Sequence, residues 1–502
     1  MTQTPVSAAQ ASAETRRYLP WMVAVALFME HLDATIINTA VPTMAANLQV
    51  EPLSLKAVLT SYTLSLAVFI PVSGWVADRF GTCRVFRAAI FLFALGSFFC
   101  GVSVNVPMLV ASRVLQGIGG ALMMPVGRLA ILRTFSRSEM LRAMNYVIIP
   151  ALIGPLVGPF AGGLIVHWLP WRMIFFINLP IAALGLWLVR RYMPDYRDEQ
   201  SPPLDRMGFL LFGSGIALLS YVLEIFGEHR LTPGLGVFLL AAALVLLGLY
   251  GRHAGRRKAP VLDLRLFRIR TFRLAVAGGF VTRLGIGGMP FLLPLLYQIG
   301  LGFAPWQAGL LTMPLAVAAI GMKIASRPLL ARFGHRQVLI VNTVLLGLTI
   351  ALYTQIGPGT PLPAMIALSF VQGFFSSLQF TAMNSLIYAD VGDPQASKAS
   401  SIASTAQQMS LSFGVAAASL TTAWFLGQVD QTDPVQVVPA LHWAFACLGL
   451  VTVLSSATFW GLRANDGDNV SNRQGKRTGE ISDGEERIAE RLAAKDAKKS
   501  RG

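Results

Sequence analysis

Apolar stretches of about twenty residues recur from one end of this chain to the other, and they restrict its fold more than any other feature. In a lipid interior a helix satisfies all its backbone N–H and C=O groups within one segment, and about twenty residues of helix match the hydrocarbon thickness. Of the 502 residues 54% are hydrophobic and only 13% charged, whereas soluble domains carry about 25% charged residues. The fold class that follows is an all-α polytopic membrane protein.

Reading apolar runs between charged or turn-rich breaks predicts fourteen helices, near 19–41, 57–77, 88–106, 107–132, 143–168, 171–193, 207–227, 233–251, 272–299, 305–326, 337–356, 361–389, 399–427 and 440–462. An even number puts both termini on one side. With connections assigned alternately, 34 of the 41 Lys and Arg residues fall on the N-terminal side and three, Lys56, Arg172 and Arg230, on the other. Cytoplasmic loops hold the excess of Lys and Arg, so both termini are expected in the cytoplasm. Orientation thus accounts for the formal charge of +16, and no basic amphipathic face points to nucleic acid. The first apolar segment reads as a retained helix, since no small-residue cleavage site follows it. Cys83, Cys100 and Cys447 are scattered, with no CxxC spacing and no His cluster to hold a metal.

The chain also repeats itself. Gln116-Gly117 recurs as Gln372-Gly373, Arg142-Ala143 as Lys398-Ala399, and Arg79-Phe80-Gly81 as Arg332-Phe333-Gly334, all at nearly one offset and at the same place in the helix order. Two six-helix halves follow, with the seventh and eighth helices inserted as a hairpin. The expected organisation is a cytoplasmic N-terminus (1–18), an N-terminal bundle (19–193), the hairpin (207–251), a C-terminal bundle (272–462) and a charged cytoplasmic tail (463–502). The tail reads as a short surface helix or as disorder, with no transport role. Parallel repeated halves around a midplane site are a transporter architecture.

Three strings carry chemistry. Gly74-Trp75-Val76-Ala77-Asp78-Arg79-Phe80-Gly81, with Arg84, occupies the turn after the second helix. Its glycines suit close helix approach and a tight turn, and Asp78 suits a helix cap or an Arg partner; the counterpart of Asp78 in the second half is Ala331. Gly154-Pro155-Leu156-Val157-Gly158-Pro159-Phe160-Ala161-Gly162-Gly163 places small residues four apart for close packing and prolines that bend the fifth helix. Around Ser410 and Gly414 the thirteenth helix lacks those prolines. The third string, Leu32-Asp33-Ala34-Thr35-Ile36-Ile37-Asn38-Thr39-Ala40-Val41-Pro42, is joined by Trp171-Arg172 with Phe175, Asn178 and Pro180.

Together these strings resemble the major facilitator superfamily, and within it the EmrB/QacA type of fourteen-helix drug:proton antiporters, over nearly all of residues 18–463. The resemblance implies the major facilitator fold, export and proton coupling. It makes Gly74, Asp78, Arg79, Gly81 and Arg84 a cytoplasmic gate latched by the acid, and Gly154, Pro155, Gly158, Pro159, Gly162 and Gly163 the antiporter motif.

A charge at a helix centre costs about 2.5–3.5 kcal/mol on insertion scales, so buried charges are candidates for function. Glu30 and Asp33 share a helix face at i and i+3, and Arg113, Gln116 and Gly117 share another. Desolvation and a nearby guanidinium act in opposite senses on a carboxyl's hold on its proton. Asp33, with Glu30 as helper and a movable Arg113 as partner, is therefore expected to couple protons; the plainer reading is a fixed Asp33–Arg113 tie. Arg283 falls at nearly the depth of Glu30, to face it across the cavity, while Lys323 reads equally as a side chain snorkelling to the surface. Gln116, Arg283, Met289 and Phe380 are expected to line the substrate cavity.

No haem His pair, Cys cluster, Walker A string or GxSxG supports an enzyme. The leading expectation is an inner-membrane proton antiporter exporting drugs or toxic amphipathic compounds, and the alternative is an exporter of one metabolite, such as an amino acid or siderophore. The implied partners are a small-molecule substrate, protons and the lipid bilayer, with no cofactor beyond the proton gradient and a periplasmic adaptor left open.

Overall fold

The computed structural model describes residues 13–198, 203–226, 233–392, 395–427 and 431–471. Arg230 and residues 472–502 of the expected tail lie outside them. The N-terminal half consists of α1 (Ala13–Ile36), α2 (Val41–Leu48), α3 (Lys56–Phe80), α4 (Thr82–Gly101), α5 (Val106–Thr134), α6 (Arg137–Trp168), α7 (Met173–Phe176) and α8 (Asn178–Tyr192). A hairpin of α9 (Arg206–Phe226) and α10 (Pro233–Arg256) follows. The C-terminal half is α11 (Arg270–Leu295), α12 (Pro305–Leu352), α13 (Leu362–Ile387), α14 (Ala396–Leu426) and α15 (Pro434–Ser455).

All fourteen expected segments fall on helix, but twelve elements among the described residues are long and apolar enough to cross a membrane. Two features make the difference. The apolar part of α6 is the shorter stretch Leu152–Trp168, and α12 merges two expected helices across Gly334, whose φ of 75° and ψ of 162° interrupt the helix. At 1.5 Å per residue the 48 residues of α12 would extend about 72 Å, more than twice the roughly 30 Å of hydrocarbon. Gly334 turns the chain back within that element. Its counterpart Gly81 has φ 94° and ends α3 in the same way, so the Arg-Phe-Gly repeat is a repeat of left-handed turns that favour glycine.

Small residues set the packing. Gly154, Gly158 and Gly162 of α6 sit against His31–Leu32, Thr35 and Ile36 of α1, where a Cβ would collide. This closeness lets Thr39 Oγ1 donate to the Pro159 carbonyl at 3.0 Å. The hairpin lies across the seam of α3 and α14: the Phe209 ring meets that of Phe69, and Phe212 and Ile216 share a cluster with Leu64, Val68 and Ala406.

The start of the expected tail is built into the C-terminal half rather than free of it. Arg270 Nη2 donates to both carboxylate oxygens of Asp466 at 2.6 and 2.8 Å, Asn469 Nδ2 donates to the Ala389 carbonyl, and Gly467 lies over the His335 ring. The bundle thus continues past residue 462, through Ser471.

Candidate functional site

A cavity of about 600 Å³ lies between the two halves. Its mouth is framed by Arg128 of α5, by Tyr388 at the end of α13 and by Ser400 of α14, and its depth reaches Asn38, Leu59 and Pro290. Beyond that depth Ile36, Val41 and Leu55 join Leu292, Leu296 and Leu441 of the other half in one apolar cluster. Polar bonds reinforce this seal. Gln298 Nε2 donates to the Thr39 carbonyl at 2.9 Å, and the Leu53 N–H donates to Gln431 Oε1 at 3.1 Å. Gly163 and Gly309 complete it, because a Cβ on the first would strike the Pro305 carbonyl and one on the second the Pro159 carbonyl. The molecule is open at the mouth and closed at the far end.

Asp33 sits beside this cavity in a buried knot whose cavity side is Arg113 and Tyr62. Its Oδ2 accepts from Arg113 Nη1 at 2.5 Å. Its Oδ1 accepts from Gln116 Nε2 and Asn178 Nδ2, both at 2.8 Å. Arg113 is equally committed: Nη1 also donates to Gln116 Oε1 at 2.7 Å, Nε donates to the Val58 carbonyl at 3.3 Å, and the guanidinium lies 4.3 Å from the Tyr62 ring centre. Asp33 is 0% and Arg113 1% exposed. Such a pair is stable in a low-dielectric interior only when its remaining lone pairs and protons are matched, and here both Asp33 oxygens and the Arg113 Nε and Nη1 donors have partners. Glu30 differs. It lines the cavity, and its buried Oε2 has no hydrogen-bond partner.

The four residues expected to line the cavity lie elsewhere. Gln116 belongs to the Asp33 knot, and Met289 is buried in the far-end apolar cluster. Arg283 lies with its guanidinium 5.0 Å from the Phe380 ring centre and donates to Asn384 Oδ1 at 3.1 Å. Asn384 itself lines the cavity, so Arg283 and Phe380 stand one residue behind the wall, and Arg283 spends its contacts within its own half. Lys323 is exposed. Asn178, Tyr62 and Asn384 are the residues that sequence reasoning did not assign.

At the turn after α3, Asp78 Oδ1 accepts from Arg133 Nη2 of α5 at 2.7 Å, which ties the loop within its own half. Arg84 lies 3.9 Å from Asp195, the Cys83 N–H donates to Asp195 Oδ1 at 3.1 Å, and Arg79 is exposed. Gly74, expected at a close helix contact, faces open space, since the halves are apart at this end.

The sequence profile of the Major Facilitator Superfamily matches residues 23–352 and 275–500. The chain belongs to that superfamily. "Putative multidrug resistance protein MdtD" of Cronobacter sakazakii is 40% identical over 448 residues, covering 88% of this chain and 94% of that protein. The Serratia proteamaculans protein of the same name is 38% identical over 456 residues, 90% of this chain and 94% of its own length. Among solved structures, the nucleoside transporter NupG superposes with a TM-score of 0.63 at 13% identity, over 88% of this chain and 99% of that one. A D-xylose-proton symporter does so at 0.62 and 16% identity, over 90% and 99%. The fold is that of the superfamily, and the chain is a multi-pass membrane transporter of small molecules, not an enzyme.

Proposed function

We propose that this transporter exports drugs or toxic amphipathic compounds across the inner membrane in exchange for protons, by alternating access, with fourteen spans and both termini cytoplasmic. The observation that carries this reading is a cavity between two repeated halves, open at one end only, with the Glu30 carboxyl in its wall and the Asp33 carboxyl buried beside it. Carboxylates there can exchange a proton against a cationic or amphipathic ligand. Open space beside Gly74 at the mouth and tight glycine contacts at the seal fit a gate that closes at one end as the other opens. The multidrug-resistance naming of the relatives supports the substrate class.

A second reading, export of one polar metabolite, draws support from the cavity wall, where Asn38, Asn384, Ser404, Gln407 and Gln408 offer carboxamides and hydroxyls. Susceptibility of a pump-deficient host to ethidium, compared with release of a labelled amino acid or siderophore, separates the two. Protection against ethidium that depends on the chain supports drug export; metabolite release without protection replaces it with the second reading. For orientation, single cysteines are introduced after replacing Cys83, Cys100 and Cys447. An impermeant maleimide added outside should label Gly359→Cys and spare Gly255→Cys, and the reverse pattern would invert the topology.

A further inference from the structure

We propose that Glu30, rather than Asp33, is the carboxyl that takes up and releases the coupling proton, and that the Asp33–Arg113 knot is a fixed positioning element. The proposal rests on the proton-coupled reading above and assigns its exchange site.

Asp33 is poorly placed to exchange. All three donors to it, Arg113, Gln116 and Asn178, come from α5 and α8 of its own half. When two halves rock about a central site, contacts inside one half persist, so rocking gives Arg113 no reason to leave. Protonating Asp33 in place would uncouple a guanidinium that is buried to 1% exposure, and breaking a buried pair costs about 3–5 kcal/mol. No cavity water reaches a residue that is 0% exposed and absent from the cavity wall.

Glu30 is one helical turn nearer the mouth. It is 7% exposed, contributes to the wall, and leaves Oε2 without a protein partner. A hydronium in the open cavity can hand its proton to the Glu30 carboxylate, giving a neutral carboxylic acid and water; the reverse step returns the proton to water on the other side. The titratable groups in the same wall are His31 on α1, Tyr62 on α3, Arg113 and Arg128 on α5, and Tyr388 beyond α13. The elements packed on α1 at this level, α6 and α8, present Pro155 and Asn178, neither of which titrates. From the C-terminal half the wall brings Asn384, Gln407 and Gln408, carboxamides that can meet a neutral acid when the mouth closes. A carboxylate sealed in the same place would lack a cation of its own, since Arg113 is committed to Asp33, and an unpaired buried charge is strongly disfavoured. Protonation of Glu30 therefore permits closure, and ionisation opposes it.

The test is infrared difference spectroscopy of the purified full chain in nanodiscs, between acidic and alkaline pH. The wild type should show the C=O band of a protonated, sequestered carboxyl that disappears as pH rises. Glu30→Gln should lose that band completely. Asp33→Asn should keep it, and if that variant misfolds, the double neutralisation Asp33→Asn with Arg113→Gln removes the stranded charge and should keep it too. A band that survives Glu30→Gln, or one lost with Asp33 neutralised, overturns the assignment, as does its absence from the wild type. The export reading fails on a different result: no movement of ethidium by wild-type proteoliposomes under a pH gradient.

Discussion

The N- and C-terminal halves share a scaffold and differ in what fills it. Gly117 presses on Tyr62 and Gly373 on Leu315, while Gly158 leans on Thr35 and Ile36 as Gly414 leans on Leu284 and Gly287. Carried along the helices, the first pairing sets Ser369 where the first half has Arg113, and α11, which packs on α14 as α1 packs on α6, has no acid from Arg270 to Leu295 and a glycine, Gly285, near its middle. Gly285 leaves room for Thr452 of α15. Ser369 Oγ lies 3.3 Å from the Tyr353 hydroxyl and 3.5 Å from that of Tyr297. Gln372, the counterpart of Gln116, is buried with its Oε1 unpaired. Duplication kept the glycine contacts that fix helix spacing, and the ionic chemistry sits in one copy only. The buried acids beside the cavity, Glu30 and Asp33, belong to the first half; at this level the second half offers hydroxyls, carboxamides and one guanidinium, that of Arg283.

The largest expected effect separates the two buried arginines. Arg113→Gln strands the Asp33 carboxylate and should lower stability by about 3–5 kcal/mol, with partial recovery on adding Asp33→Asn. Arg283 has Asn384 and the Phe380 ring, but no carboxylate partner among the described residues, so Arg283→Gln should cost far less. Thermal unfolding in detergent decides, and equal losses would break the contrast between the halves.

A smaller shift is expected at the seal, where the halves touch through glycine and carbonyl. Gly163→Ala with Gly309→Ala forces methyl groups into that contact, and overpacking of this kind costs about 1–3 kcal/mol. The seal should open in a larger share of molecules. Spin labels at the exposed positions Val104 and Val435 should report a longer distance population, and an unchanged distribution would show that the seal tolerates the added volume.

Least in free energy is the latch confined to the first half. Asp78 and Arg133 are each 29% exposed, and pairs of that kind contribute about 0–1 kcal/mol. Asp78→Asn should leave insertion and melting temperature nearly unchanged while reducing ethidium efflux at equal expression. Wild-type efflux would remove the latch role.

The helices, the repeat and the Asp33–Arg113 pair were legible because each rests on spacing along one segment or on a charge that lipid makes costly. Facing direction was not legible. Helices that are apolar all round give no amphipathic period to show which side meets a neighbour, so Met289 and Phe380 read as cavity residues although they lie behind its wall. Asn178 escaped assignment because it reaches Asp33 from 145 residues away, and its motif alone does not say where its amide points. Asp466 escaped for a similar reason: a polar stretch after the last apolar run reads as solvent-exposed until Arg270 is seen to hold it.

The hairpin has a consequence for compounds dissolved in the bilayer. Phe209, Phe212 and Ile216 of α9 cover the seam between α3 and α14 at the level where the cavity is open. Among the described residues the hairpin makes no comparable contact with the other seam, between α6 and α12. A lipophilic molecule drifting in the leaflet therefore meets a shielded flank on one side of the protein and an uncovered one on the other, and its sideways path into the cavity has a handedness that the paired halves alone would not impose.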